Sequence, residues 1–182
     1  MKVSGERRFE APRAVVWEVL DDPARMAMLM PGVESFEVAD ERHWSAKVKV
    51  PLGLGTLPLS FSFEKTDERE PEFARLEARG NGVGAIVRMD TEFHLREAGG
   101  EATEMAWEAD VSIAGPVGAM GQRVLQPIVN QQVGSVLAAL EAQVAEAAGG
   151  APAGAEEGIH PAAPEAYAEE PEGPTHSTDG EG

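Results

Sequence analysis

The stretch VGAIVRMDTEFHLREAGGEATEMAWEADVSIAGPVGAMGQRVL, Val83 to Leu125, decides the reading of the fold. Its first part alternates: Val83, Ala85, Val87, Met89, Thr91, Phe93 and Leu95 share one face, with charged residues and His94 among those between them. After the turn EAGGE the alternation resumes with Met105, Trp107, Ala109, Val111 and Ile113. Successive side chains of a strand point to opposite faces, so each run reads as a strand with one apolar and one polar side. Such strands belong to an antiparallel sheet that buries one face only. At Gly115-Pro116 the period changes. Val117, Met120, Val124 and Ile128 recur at helical spacing, with Val133, Val136, Leu137, Leu140 and Val144 beyond. A single helix over 116–148 spans about 50 Å. Pro127 lies inside it, and a bend is expected near residues 123–127, because proline lacks the N–H that continues a helix.

The same grammar extends upstream. VESFEVA is a short strand. HWSAKVKVPL sets Trp44, Ala46, Val48 and Val50 against Ser45, Lys47 and Lys49, and TLPLSFSFEK turns Leu57, Leu59, Phe61 and Phe63 inward. FARLEARG is a further strand, ended by a hairpin expected at Gly80-Asn81-Gly82. Before Gly32 the pattern is mixed. KVSGERRFE alternates, with Val3, Gly5, Arg7 and Phe9 on one face. APRAVVWEVL carries a helical stripe of Val15, Val16, Val19 and Leu20, and DDPAR starts a second helix with Asp22 as cap and Pro23 at the first helical position. In that short helix Met26 and Met30 share a face, and Met28 points elsewhere.

The order is strand, two short helices, six strands and one long helix. This predicts an α+β helix-grip domain: a curved antiparallel sheet of about seven strands around a long C-terminal helix. The domain is expected over residues 1–148. Residues 149–182 hold eight acidic residues, no Lys or Arg, and much Ala, Gly and Pro. That composition buries too little apolar surface to offset ordering, so a disordered acidic tail is expected there.

The totals exclude several functions. The net charge of −17 argues against sequence-independent nucleic-acid binding, which needs clustered Lys and Arg, and against electrostatic docking on anionic lipid. With no cysteine the chain has no disulfide, thiolate metal site or thiol nucleophile. No apolar run is long enough for a transmembrane helix and no secretory signal is read, so a cytoplasmic location is expected. His43 and His94 have no partner at metal-ligand spacing, and His160 and His176 lie in the tail. Glu104, Glu108 and Asp110 alternate with apolar residues as a solvated face does. Neither a catalytic nor a metal site is read.

What remains is apolar. The inner face gathers Trp44, Phe61, Phe63, Val87, Met89, Met105, Trp107, Met120, Val124 and Ile128, with Met26 and Met30 closing one end. Two readings stand: an ordinary packed core, or the wall of a ligand cavity, which methionine's adaptability suits. Arg7 and Thr91 or Thr103 are the polar residues on inward faces that could orient a ligand.

These residues also carry a resemblance. FEAPRAVVWEVLDDPARMAMLMPGVESFE, with Ala11-Pro12, Val16-Trp17, Leu20-Asp21-Asp22-Pro23 and Leu29-Met30-Pro31-Gly32-Val33, resembles the N-terminal signature of the carbon monoxide dehydrogenase CoxG family. Gly80 and Gly82, and MAWEADVSIAGPVGAMGQRVL with Trp107, Ala109-Asp110, Gly115 and Gly121, extend it across residues 1–145. The resemblance implies the START-like (SRPBCC) helix-grip superfamily. It implies a non-catalytic protein without an intrinsic cofactor that holds a lipophile such as a quinone. It also implies an accessory or recruitment role for a molybdenum hydroxylase of the carbon monoxide dehydrogenase type. Some members end in a membrane-associating segment. Here the last residues are PTHSTDGEG, polar and acidic, which argues against peripheral membrane contact. A polyketide cyclase/dehydratase-like enzyme and a ligand-free assembly chaperone are the alternative readings of the same fold.

Overall fold

The computed structural model describes residues 1–53 and 55–149. The tail expected over 149–182 lies, from residue 150 on, outside the described residues. The chain runs β1 (Lys2–Phe9), α1 (Arg13–Asp21), α2 (Pro23–Met28), β2 (Val33–Val38), β3 (His43–Leu52), β4 (Gly55–Arg69), β5 (Phe73–Gly82), β6 (Ala85–Glu97), β7 (Thr103–Ala114), a 3-10 turn (Gly118–Met120) and α3 (Gln122–Ala147). The strands form one seven-stranded antiparallel sheet in the order β1-β7-β6-β5-β4-β3-β2. Neighbours follow the chain except that β1 closes on β7, so the helices inserted after β1 cross to the inner face. This is the helix-grip plan expected from the order of elements.

Local chemistry explains the short helices. Asp22 accepts hydrogen bonds from the backbone N–H groups of Ala24 (2.8 Å) and Arg25 (3.3 Å), and Pro23 occupies the first helical position, where no donor is needed. α1 buries Val16, Trp17, Val19 and Leu20, and Trp17 meets Phe93 of β6 at 6.3 Å between ring centres. Ala27 of α2 and Leu29 at its C-terminal end are buried, while Met26 and Met30 are half-buried against the same core and Met28 is exposed. The core therefore lies between the inner sheet face, α1, α2 and the C-terminal half of α3, where Leu140 and Val144 are buried.

Two expectations are corrected. The β5–β6 hairpin turns at Val83-Gly84, because Gly82 still pairs with Ala85. Gly80, Asn81 and Gly82 belong to β5. Gly80 is small for a packing reason: a Cβ there would lie 2.5 Å from the Phe61 ring, which covers it from β4. The second correction concerns the last helix, which does not start at residue 116. The chain makes a 3-10 turn, then passes through Gly121 at φ 81°, a left-handed conformation that glycine adopts without a Cβ clash. α3 begins after it, and 26 residues give about 39 Å.

Candidate functional site

The break at Gly121 resets the helical phase. A stripe counted from Val117 places Met120, Val124 and Ile128 inward. In the structure Met120 is 45% and Val124 44% exposed, whereas Leu125 is 5% exposed. Ile128 is half-buried, and Val129, Val136 and Leu137 are α3 residues that pack against the core beside Leu140 and Val144. The inward series from Leu125 and Val129 to Val136, Leu140 and Val144 has the spacing of one helical face. Sequence reading missed Leu125 and Val129 because it assumed one unbroken helix.

On the sheet the expected inner face is assembled. Trp44 of β3 stacks on Phe63 of β4 at 5.4 Å with planes 6° apart, and Phe63 in turn stacks on Phe61 at 5.7 Å. Val87 and Met89 follow on β6, and Met105 and Trp107 on β7. Trp44, Phe63, Val87 and Met105 are buried. Phe61, Met89, Thr91 and Trp107, at neighbouring positions across the face, stay half-buried. So do Val129, Val136 and Leu137 on α3. The face is thus sealed where α1 packs and less fully covered toward the N-terminal part of α3. Met26 and Met30, also half-buried, flank the sealed end.

The polar groups on this face sort into two kinds. Thr103 is completely buried and its hydroxyl donates to the Ala11 carbonyl at 2.7 Å, fastening β7 to the segment before α1. Its hydrogen-bonding capacity is used structurally. By contrast, Arg7 Nε, Thr91 Oγ1 and Trp107 Nε1 are buried atoms with no hydrogen-bond partner among the described residues. The outer end of Arg7 faces Glu141 of α3, with Nη2 3.7 Å from the carboxylate. The Trp107 indole lies over Gly5, whose Cβ position is 3.0 to 3.2 Å from the ring and Nε1.

A charged group missed by sequence reading is Lys65, only 5% exposed. It follows Leu57, Leu59, Phe61 and Phe63 on the inward period of β4, beside a register shift between Lys65 and Asp67. Its ammonium is held by Asp21 at the end of α1 and by Glu68 at 2.7 Å. Burial pulls its pKa down, and the hydrogen bonds to Asp21 and Glu68 outweigh that pull, leaving it above the ordinary 10.5. It ties α1 to the sheet.

His43 and His94 point outward; His43 pairs with Asp40 at 2.8 Å. Among the described residues no three His, Asp or Glu side chains are grouped to hold a metal ion. None of the described helices is long and apolar enough to cross a membrane. A depression on the outer face, lined by Ser4, Glu6, Glu92, His94 and Glu108, is a charged surface hollow of a different kind from the apolar inner face.

Comparison with known proteins accords with this geometry. Crystal structures with the same fold include a conserved protein from Geobacillus kaustophilus (TM-score 0.74, 20% identity, 80% of this chain and 96% of that one). A START superfamily protein from Mycobacterium smegmatis matches with TM-score 0.62 and 13% identity over 80% of this chain and 97% of that one. The Zhui aromatase/cyclase from Streptomyces sp. R1128 matches with TM-score 0.59 and 18% identity over 81% and 93%. No curated protein matches the chain. The family model for CoxG, described as a subunit of carbon monoxide dehydrogenase, matches residues 5–145, nearly all of the described domain. The chain belongs to the carbon monoxide dehydrogenase CoxG family.

Proposed function

We propose that this protein is a carrier that holds a lipophilic molecule between the inner sheet face and α3, and serves a molybdenum hydroxylase of the carbon monoxide dehydrogenase type. The observation that carries the reading is the incomplete cover over Phe61, Met89, Thr91 and Trp107. Large apolar side chains there stay half-buried, although the neighbouring face under α1 is closed. A ligand laid on that band would remove apolar surface from water, worth about 25 cal/mol per Å². The face under α1 is already closed and does not depend on it for a core. Family membership supports the accessory role, and a quinone is the lipophile proposed.

Binding is favoured over catalysis by what the face presents. Arg7 and Trp107 present only N–H donors and Thr91 a hydroxyl, so none is a ready general base. The carboxylates of β6 and β7, such as Glu92 and Glu108, lie on the opposite face.

The test is native mass spectrometry of protein purified without detergent, followed by organic extraction. A stoichiometric isoprenoid quinone or similar lipophile is expected, lost when Phe61 or Met89 is replaced by aspartate in variants that stay folded. Failure of the folded protein to retain or take up any lipophile would overturn the carrier reading. Turnover of an aromatic polyketide, abolished by Thr91→Val, would establish an enzyme instead.

A further inference from the structure

We infer that the inner face carries a head-group subsite for a neutral oxygen acceptor, built from Arg7 Nε and Trp107 Nε1. The inference rests on the carrier reading and says which end of the ligand is recognised, and how.

The argument starts from register. Arg7 pairs with Met105, and Gly5 with Trp107, so Arg7 and Trp107 are diagonal neighbours across β1 and β7. Thr91 pairs with Ala109 and Phe93 with Trp107, so Thr91 is diagonal to Trp107 on the other side. Diagonal neighbours in an antiparallel pair are within reach of long and aromatic side chains. Gly5 allows the Trp107 ring to lie across β1, which brings Nε1 toward the strand that bears Arg7. Three buried polar atoms without protein partners therefore occupy adjacent rows of an otherwise apolar wall.

Buried polar groups are normally paired, so the two orphan donors that meet over β1, Arg7 Nε and Trp107 Nε1, call for a common explanation. Their chemistry selects the partner. The indole N–H and the guanidinium Nε–H are donors and cannot accept; threonine can do either. A ligand group that only donates would leave the first two unsatisfied. An oxygen acceptor satisfies both. Charge then narrows the class. Arg7 already faces the Glu141 carboxylate, so its positive charge has a counterion. A second carboxylate would be repelled by Glu141 in a protein already at net −17. A neutral carbonyl, as in a ketone, ester or quinone, meets the donors without that cost.

The experiment uses the full chain and four probes of equal chain length: a medium-chain alkane, its methyl ketone, its carboxylate and its primary amine. Each is supplied from cyclodextrin and measured by calorimetry and native mass spectrometry. One hydrogen bond from the neutral indole and one from the guanidinium correspond to at least about a tenfold preference for the ketone over the alkane. That preference is expected to fall toward one in Arg7→Met/Trp107→Phe, with alkane binding retained as the control for an intact wall. The carbonyl infrared band of a labelled ketone is expected at the hydrogen-bonded position in the parent protein and at the free position in the variant. Equal binding of alkane and ketone would overturn the head-group subsite and leave the carrier reading standing. Tighter binding of carboxylate or amine would overturn the assignment of a neutral acceptor. If no probe binds, the carrier reading and the subsite fall together.

Discussion

Lys65 allows a sharp test of how this fold tolerates a buried charge. Two perturbations are compared: Lys65→Met, and the double change Asp21→Asn/Glu68→Gln. Both break the Lys65 ion pairs, and the double change also removes the exposed Arg42–Glu68 pair, but the structure makes them unequal chiefly through burial. The Lys65 side chain is 6% exposed, whereas those of Asp21 and Glu68 are 43% and 33% exposed. Removing the lysine leaves two carboxylates that water reaches, and methionine fills the apolar path of the lysine stem. Replacing a buried ionic group by an apolar one of similar volume is often neutral, so a change within about 1 kcal/mol is expected. Removing the carboxylates strands an ammonium in the core, which costs about 3–5 kcal/mol. A domain of this size shifts its melting temperature by about 2–4 °C per kcal/mol, so the double variant should melt roughly 6–20 °C lower. Lys65→Met should stay within about 4 °C of the parent. Thermal unfolding followed by circular dichroism at neutral pH reads both. If Lys65→Met loses as much as the double variant, the ion pairs stabilise the domain in their own right and the desolvation argument is wrong.

The same cluster sets a pH dependence. The hydrogen bond from Lys65 holds the Glu68 carboxyl below its ordinary 4.5, and Lys65 itself lies above 10.5. Stability from Glu68 is complete above its ordinary value and lost as pH falls through the lowered one. Stability from Lys65 is complete below 10.5 and lost as pH rises through the raised value. Unfolding scans should therefore show a plateau between these limits, with both edges softened in Lys65→Met. For the helical phase, Leu125→Ala should cost about 2–5 kcal/mol in denaturant unfolding, and Val124→Ala within about 0.5 kcal/mol; the reverse order would refute the reset at Gly121. Gly80→Ala should destabilise by about 1–3 kcal/mol, because the added Cβ meets the Phe61 ring, where an ordinary exposed strand glycine would gain. Thr103→Val should cost about 1–3 kcal/mol by leaving the buried Ala11 carbonyl unpaired, read as a drop in the urea midpoint at constant slope.

The sequence by itself determined whatever depends on neighbours along the chain. Alternation every two residues assigned Trp44, Phe61, Phe63, Val87, Met89, Met105 and Trp107 to one face, and the structure keeps them there because a strand's side-chain period is fixed by its backbone. Asp22 and Pro23 announced α2 because a cap acts within three residues. The order of elements was enough for the helix grip. Tertiary structure decided what depends on residues far apart. Gly80 and Gly82 read as a turn, but the ring that makes Gly80 small comes from another strand. The inward face of α3 turned on a single left-handed residue, Gly121, which a stripe counted through it from Val117 does not register. Thr91 and Thr103 are alike in sequence. One is left unpaired on the wall, and the other is consumed by the Ala11 carbonyl, 92 positions away. Lys65 sits in the core because Asp21, 44 positions earlier, arrives to meet it. Burial of a polar group is tolerated only once its partner is in place, and where the partner sits is set by the closed sheet rather than by local sequence.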